Sequence, residues 1–480
     1  MTDTTPAAKS AKKTSDADAG LSSDFGIDTT SRSTSEALRD YVSKVRSGEL
    51  GALPALFGLI VLVILFSALS DSFLTVNNLA NLLEQGAGET IIAMGVVFVL
   101  LLGEIDLSAG TASGVTASVL ALHFQNHGNL LTAMDTGVFY AFIIALAVAT
   151  ILAALMRIWI GAALSALGLV IMLLGVPPNA WLEMLLAVCV GAGIGSLTGF
   201  LVAKVGIPSF VVTLALFIAW YGVVLQLVGE GGTVSVRQSP VLFNVANGNL
   251  STLNSWLLFV IGGGGYAGVV LFRHFSRLRK GLVARPTALI ALQVVLVLVV
   301  GAVATYVLNF NRSPNPAFAT IKGVPYVVPI VLVLLAIGTF VLDRTRYGRH
   351  VYAVGGNREA ARRAGVNVPR IRMSVFVICS SVAAIGSIVY TSKVGSVDGN
   401  AGNGTVLLFA VGSAVIGGTS LFGGRGRVRD AVFGGLVLAA VENGLNLLGF
   451  QAAAVNVITG VVLLMAATVD ALSRRRAAAR

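Results

Sequence analysis

The densest chemistry in the chain lies between Asp343 and Arg372, DRTRYGRHVYAVGGNREAARRAGVNVPRIR. From Arg344 onward this stretch holds eight arginines and a single acid, Glu359, for a net charge of +7. The spacing predicts a short helix with both ends marked. Asn357 stands at the N-cap position, where its side chain can accept from a first-turn N–H. Arg358 and Glu359 follow, the carboxylate facing the positive end of the helix dipole. Ala360 and Ala361 are strong helix formers. Arg362 and Arg363 close the last turn, and Gly365 is placed to take the left-handed conformation just past it. Pro369 blocks continuation. Seven residues would span about 10 Å, and a helix so short is marginal alone in water, so a partner surface is expected to hold it. Charge alone favours a solvated basic loop; the two-ended cap points instead to a docking helix.

A second group consists of acids in apolar surroundings. Glu104 and Asp106 sit where two apolar runs meet. A carboxylate facing lipid costs at least about 2.5–3.5 kcal/mol, so both must face protein, water or an interface. Either they lie in or beside a polar pathway, or Asp106 and Ser108 cap the helix that follows; the spacing favours the cap. Glu442 and Asn443 lie deeper in their run and suit an interhelical polar contact or the lining of a pathway, the contact slightly ahead. Glu89 and Glu183 fall near segment ends and need no special role. Trp220, Tyr221 and Gln226 offer an aromatic face and hydroxyl-binding groups near the outer half of one span, with core packing the plainer role.

Other chemistries find no support. His123 and His127 are four apart but have no Cys or carboxylate beside them, and they read as surface histidines, so no metal site is expected. There is no GxSxG elbow. No Lys follows a Gly, so the GxxxxGK[ST] phosphate loop is missing, and Gly191-Ala-Gly193-Ile-Gly195 lacks both the GxGxxG spacing and a preceding strand. No catalytic residue and no cofactor bound by this chain are expected.

The elements that must position these residues are set by composition. Of 480 residues, 56% are hydrophobic and 11% charged, with a mean hydropathy of +0.87. An ordinary soluble domain is about 25% charged, so the solvent for most of this chain is the lipid bilayer. A soluble enzyme is excluded. The net charge of +11 does not mark a nucleic-acid binder, because of where it sits: residues 1–49 hold 7 basic and 8 acidic side chains, leaving 26 and 14 for the remainder. Residues 1–49, rich in Ser, Thr, Ala, Asp and Lys, read as a disordered tail. No cleaved signal peptide is expected ahead of the first apolar run near Ala52. Fourteen apolar stretches follow, at about 52–70, 87–102, 106–124, 137–156, 158–176, 181–204, 208–228, 256–272, 287–310, 326–342, 373–391, 405–421, 431–449 and 452–472. Some are marginal in length and pieces such as 103–114 suit re-entrant or broken helices, so about 10–14 transmembrane helices are expected. With the amino terminus cytoplasmic, the inside turns collect Arg157, Lys204, Arg273 to Arg285, Arg344 to Arg372, Arg425 to Arg429 and Arg474 to Arg476. The outside loops 229–255 and 311–325 keep only Arg237, Arg312 and Lys322. This is the positive-inside asymmetry, and it places both termini in the cytoplasm. Cys189 and Cys379 read as small buried hydrophobes, and the 55 glycines as close-packing points between helices.

Glu359-Ala360-Ala361 with Gly365 four residues on resembles the EAA…G cytoplasmic loop of ABC importer permeases. More specifically, YGRHVYAVGGNREAARRAGVNV at 347–368 resembles the sugar branch, the ribose, galactose and xylose permeases, and most of all the D-xylose pattern. GEIDLSAG at 103–110, IPSFVVTLA at 207–215, GNAGNGTVL at 399–407, IGGTSLFGG at 416–424 and ENG at 442–444 agree in order. Two features depart from that family's pattern: the 49-residue tail is long, and 137–204 holds three apolar runs where one is expected.

The resemblance implies an all-α polytopic permease domain over 50–480, with 343–372 as the cytoplasmic coupling loop. It implies a multi-pass protein of the bacterial inner or plasma membrane. Its partners would be a second permease subunit in a homodimer, ABC ATPase subunits that carry ATP and Mg, and an extracytoplasmic sugar-binding protein; nucleic acid is not among them. The expected function is ATP-driven import of a monosaccharide, xylose or a related sugar. The alternatives are a permease for ribose, galactose or another small polar solute, or, in a different class, an ion-coupled secondary transporter or a membrane enzyme. An ion-coupled carrier would hold several ionisable groups near the bilayer midplane, and Glu442 is the one such candidate in this reading.

Overall fold

All fourteen apolar stretches are helical. The structure is a computed structural model that describes Arg39 and residues 51–282, 284–313 and 320–478; the tail expected at 1–49, apart from Arg39, lies outside them. Besides the single helical turn Leu130–Ala133, the helices in chain order are α1 Leu53–Leu69, α2 Val76–Leu101, α3 Ser108–Gln125, α4 Thr136–Leu155, α5 Trp159–Leu174, α6 Ala180–Phe200, α7 Ser209–Val228, α8 Pro240–Asn247 and α9 Thr252–Phe259. They continue as α10 Gly265–Arg279, α11 Thr287–Leu308, α12 Val327–Arg344, α13 Arg346–Gly356, α14 Arg358–Arg363, α15 Val368–Val394, α16 Gly404–Ile416, α17 Val428–Leu447 and α18 Ala452–Ala478. Short π-helical turns, Leu201–Val205 and Val260–Gly264, extend α6 and join α9 to α10. Among the described residues eight helical spans are long and apolar enough to cross a bilayer, with α9, its π-helical turn and α10 forming one span, Thr252–Arg279, and four more apolar helices are shorter. The sequence placed the start of α2 too late, at 87. Its amino-terminal turns are polar and escape a hydropathy reading, but Thr75 caps them by accepting from Asn78 N.

Two units are formed. One contains Trp256–Ala304, where α10 and α11 are joined by His274 Nε2 to Thr287 Oγ1 at 3.0 Å and by Gln293 Nε2 donating to Tyr266 Oη at 2.6 Å. Its outer positions are apolar: Val260, Ile261, Phe272, Leu292, Leu296 and Val300 are exposed. A surface of this kind is stable only against hydrocarbon.

The other unit, Ser47–Ser255 with Thr305–Arg480, is organised on α15. On one side, α6 approaches it through Gly191, Gly195 and Gly199, each against a backbone carbonyl of α15; a Cβ at Gly195 would stand 2.5 Å from Phe376 O. On the other side, Gly88 and Gly95 let α2 come equally close. Helices gain little from mutual burial in lipid, so close packing of small residues carries the association. Cys189 and Cys379 are fully buried free thiols within this packing, as expected.

A two-stranded antiparallel ribbon pairs β1, Thr233–Ser235, with β2, Ser396–Asp398. From β2 the chain turns back along α3, with Ala401 against Gly114 and Gly402 against Gly110, so close that any side chain on Gly114 would overlap the Ala401 carbonyl. Asn403 then caps α16, whose 13 residues span about 20 Å, less than a bilayer. The GNAGNGTVL motif is thus a loop folded into the bundle, and α16 a partial crossing.

Candidate functional site

The arginine-rich stretch folds as three helices, α13, α14 and the start of α15. Thr345 caps α13, accepting from Gly348 N at 3.1 Å. Asn357 Oδ1 accepts from Ala360 N at 2.9 Å, capping α14 as expected. At the other end, Val366 N donates to Ala361 O and Gly365 N to Arg362 O, both at 3.0 Å, with Gly365 at φ +82°. This is a Schellman stop, which requires a residue free to enter the left-handed region. Pro369 does not merely block α14; it sits in the first turn of α15, where a missing N–H costs nothing. This helix is six residues rather than seven.

One face of this helix is held by the chain itself. Ala361 is 4% exposed and lies in one apolar cluster with Leu101, Leu102, Val351, Val354 and Ile371. The opposite face is open: the side chains of Glu359 and Arg362 are 63% and 71% exposed and paired to each other at 2.8 Å. Arg363, Ala364 and Gly365 are exposed as well.

The clamp that fixes this helix comes from an unexpected residue. Glu104, 4% exposed, lies in the break between α2 and α3. Its Oε1 accepts from Arg358 Nη2 at 2.7 Å and from Arg372 Nε at 2.8 Å, while Arg358 Nη2 also reaches Leu102 O at 3.2 Å. One buried carboxylate thereby ties the first residue of α14 and the first turn of α15 to the α2–α3 break. Glu104 is spent on this contact and does not stand free in a pathway. Asp106 behaves as the capping alternative predicted: its Oδ1 accepts from Ser108 N at 3.0 Å and Ser108 Oγ at 2.6 Å.

Three further turns gather at the same end. Ser209 and Thr213, from IPSFVVTLA, bond Ile105 N and O at 3.3 and 3.1 Å. Gly424 N, from IGGTSLFGG, donates to Leu101 O at 2.9 Å, and Tyr352 Oη donates to Gly426 O at 2.9 Å. Burial, with Asp343 nearby, pushes the Tyr352 phenol up to about 12, so it remains a donor. Arg370 Nε caps the end of α4 at Met156 O, 3.1 Å away. Turns scattered over more than 250 residues of sequence thus form one platform beneath α14.

The remaining candidates are dispersed. Asn443 and Asn78 form a reciprocal amide pair at 2.8 and 2.9 Å between α17 and α2, the interhelical contact that the sequence favoured. Glu442, beside it, is half-buried. Trp220 packs on an apolar cluster and Gln226 is exposed on α7; among the described residues no hydrogen bond joins either to Glu442 or Asn443. His123 is not a surface residue. It is fully buried, its Nδ1 2.8 Å from Oε1 of an equally buried Glu183, which therefore does need an account: it is the partner of that ring. Glu89, taken as lying near a segment end, falls in the middle of α2. Sequence reasoning also missed that Arg358 and Arg372 share Glu104, for which no local spacing rule exists.

Comparison with known proteins follows this geometry. The profile of the family described as "branched-chain amino acid transport system / permease component" matches residues 158–467. Among curated relatives, the xylose transport system permease protein XylH of Escherichia coli K12 is 31% identical over 440 residues, 90% of this chain and 95% of its own. XylH of Haemophilus influenzae is 28% identical over 441 residues, 90% and 99% of the two chains. The ribose import permease protein RbsC of Escherichia coli K12 is 28% identical over 416 residues, 87% and 92%. No solved structure matches. With well over half of its residues inside that profile, and above 30% identity to one relative along nine tenths of its length, the chain belongs to this family of transport-system permeases.

Proposed function

We propose that this protein is the transmembrane permease subunit of an ATP-driven importer of a monosaccharide, xylose or a closely related sugar. The observation that carries the reading is α14, anchored through Ala361 and Arg358 on one side and presenting Glu359, Arg362 and Arg363 on the other. End-to-end similarity to pentose permeases favours a sugar over the amino-acid solutes in the family's description. The excess of arginine at this end of the bundle supports a cytoplasmic placement, with both termini on that side. A separate ATPase subunit would dock on the open face of α14, a second copy of the permease would complete the pathway, and an extracytoplasmic binding protein would deliver the sugar. ATP and Mg would belong to the ATPase.

Coupling is then mechanical. A push on α14 reaches α15 through the short turn at 364–367 and reaches the α2–α3 break through Glu104, so two core helices receive it together. Rigid helices carry such displacements as shifts between discrete packings. Glu359→Lys and Gly365→Pro should insert at wild-type levels yet fail to stimulate the partner ATPase, measured as sugar-dependent ATP hydrolysis in reconstituted complexes. Wild-type stimulation in both variants would exclude α14 as the contact.

A further inference from the structure

Polar residues recur at every fourth position on one face of α2: Asn77, Asn81, Gln85 and Glu89. Asn77 and Gln85 are exposed, Asn81 and Glu89 half-buried, and from Thr90 to Leu102 the helix is buried on every side. Residues four apart share a helix face, so this is a continuous stripe that ends abruptly at Glu89. Beside it, α17 places half-buried Glu442 and exposed Asn446, again four apart, and α15 places Tyr390, 36% exposed. The three helices are fixed to one another here by the Asn78–Asn443 pair, by Asn443 Nδ2 donating to Gln85 Oε1 at 3.4 Å, and by the contact of Gly88 with Tyr390. Glu89 and Glu442 are near enough for their charges to act on each other, and both act on Tyr390.

The stripe is anomalous for a surface that lipid would cover. The exposed positions of α4 and α5 carry Tyr140, Ile144, Ile151 and Leu155, then Trp159, Ile160, Leu173 and Leu174. Those of α2 carry amides and a carboxylate. Counting about 20 residues, one hydrocarbon thickness, back from Leu101 sets the far edge of the bilayer core near Leu82. Asn77 and Asn81 then stand at the mouth, with Gln85 and Glu89 inside. Among the described residues, Glu89 and Glu442 accept no hydrogen bond and make no ion pair, and the amides of Asn77, Asn81 and Asn446 are equally without partners. Polar groups left unpaired at this depth are tolerated only against water or a polar ligand.

We propose that this stripe is the solute track: an aqueous half-channel that opens at Asn77 and closes at Glu89 and Glu442, where a neutral polyhydroxylated solute is held. The chemistry is selective. Amides both donate and accept and carboxyl oxygens accept, and sugar hydroxyls match both. The assignment rests on the sugar-permease reading for the identity of the solute, and the opposite wall would be the second permease copy. The buried thiols Cys189 and Cys379 make the wild-type chain a clean background for a labelling test. In the assembled complex in membrane vesicles, a membrane-impermeant cationic thiol reagent is applied to each face in turn. Asn81→Cys and Gln85→Cys should label about tenfold or more faster than Ile151→Cys and Leu173→Cys. In parallel, the Glu89→Gln, Glu442→Gln double variant, at wild-type abundance in the membrane, should lower D-xylose uptake about tenfold, since each change replaces one carboxyl oxygen with an amide nitrogen that cannot accept. Equal labelling at stripe and control positions overturns the track whatever the chain carries. Fast labelling with unaltered uptake in the double variant overturns the role of the two carboxylates. Fast labelling of Asn81→Cys and Gln85→Cys, with a wild-type complex that takes up no monosaccharide, supports the track and overturns the sugar.

Discussion

At the scale of single residues, Glu104 decides how α14 is held. Its two guanidinium partners are not equivalent: the Arg372 side chain is 16% exposed and that of Arg358 44%. Water already screens the outer pair, and such pairs contribute about 0–1 kcal/mol. The inner one would leave a mostly buried cation without its acceptor, a loss of about 1.5–3 kcal/mol. Glu104→Gln should therefore lower stability in a detergent unfolding titration by about that amount, and Arg358→Ala by less than about 1 kcal/mol. Equal losses would show that the outer arginine bears as much of the contact as the inner one. Both variants should also blunt coupling, because the α2–α3 break would no longer follow α14. Glu104 and Asp106, two positions apart, looked alike as acids between apolar runs. Their roles separate only in three dimensions, since the arginines that claim Glu104 lie more than 250 positions away.

At the scale of elements, α6 and α15 show what the abundant glycine is for. Gly195 faces Phe376 O and Val377 Cα so closely that a Cβ would stand 2.5 and 2.7 Å from them. A larger residue must part the helices, a cost of about 1–3 kcal/mol. Gly222 on α7 has nothing within 4 Å. Gly195→Val should cost about that much in the same titration, whereas Gly222→Ala should be neutral or stabilise by up to about 1 kcal/mol through helix propensity. Similar effects at both sites would mean that the glycines serve flexibility rather than approach. The short α14 was legible in sequence because capping is local: Asn357, Gly365 and their spacing are sufficient signals. The start of α2 was not, because Asn77, Asn78 and Asn81 break the hydropathy pattern. Their four-residue period was nevertheless present in the sequence and could have marked the stripe.

At the scale of the whole molecule, the platform beneath α14 joins turns from five parts of the chain, all within residues 100–430. Residues 1–49 read from composition as a disordered tail. Deleting 1–45 should leave sugar uptake and membrane abundance at wild-type values; lost uptake at normal abundance would assign the tail a function. The same gathering of turns places the basic segments at one end of the bundle. Arg157 and Arg344 to Arg372, assigned to one face of the membrane by charge counting, belong to segments that meet at one end through hydrogen bonds that owe nothing to that count.

The amino-acid sequence alone determined that the chain belongs in a membrane, that it is helical, where its apolar segments fall and where the capped helix stands. These properties follow from composition and from interactions within a few residues, so they can be read along a line. Only the tertiary structure decided which acids are paired and which are left bare. Glu104 is claimed by Arg358 and Arg372, Glu183 by His123, and Asn443 by Asn78, while Glu89 and Glu442 have no hydrogen-bond or ion-pair partner among the described residues. A carboxylate in an apolar run has the same cost wherever it occurs; its function depends on what the fold brings within about 3 Å of it, and that neighbour is set by long-range packing.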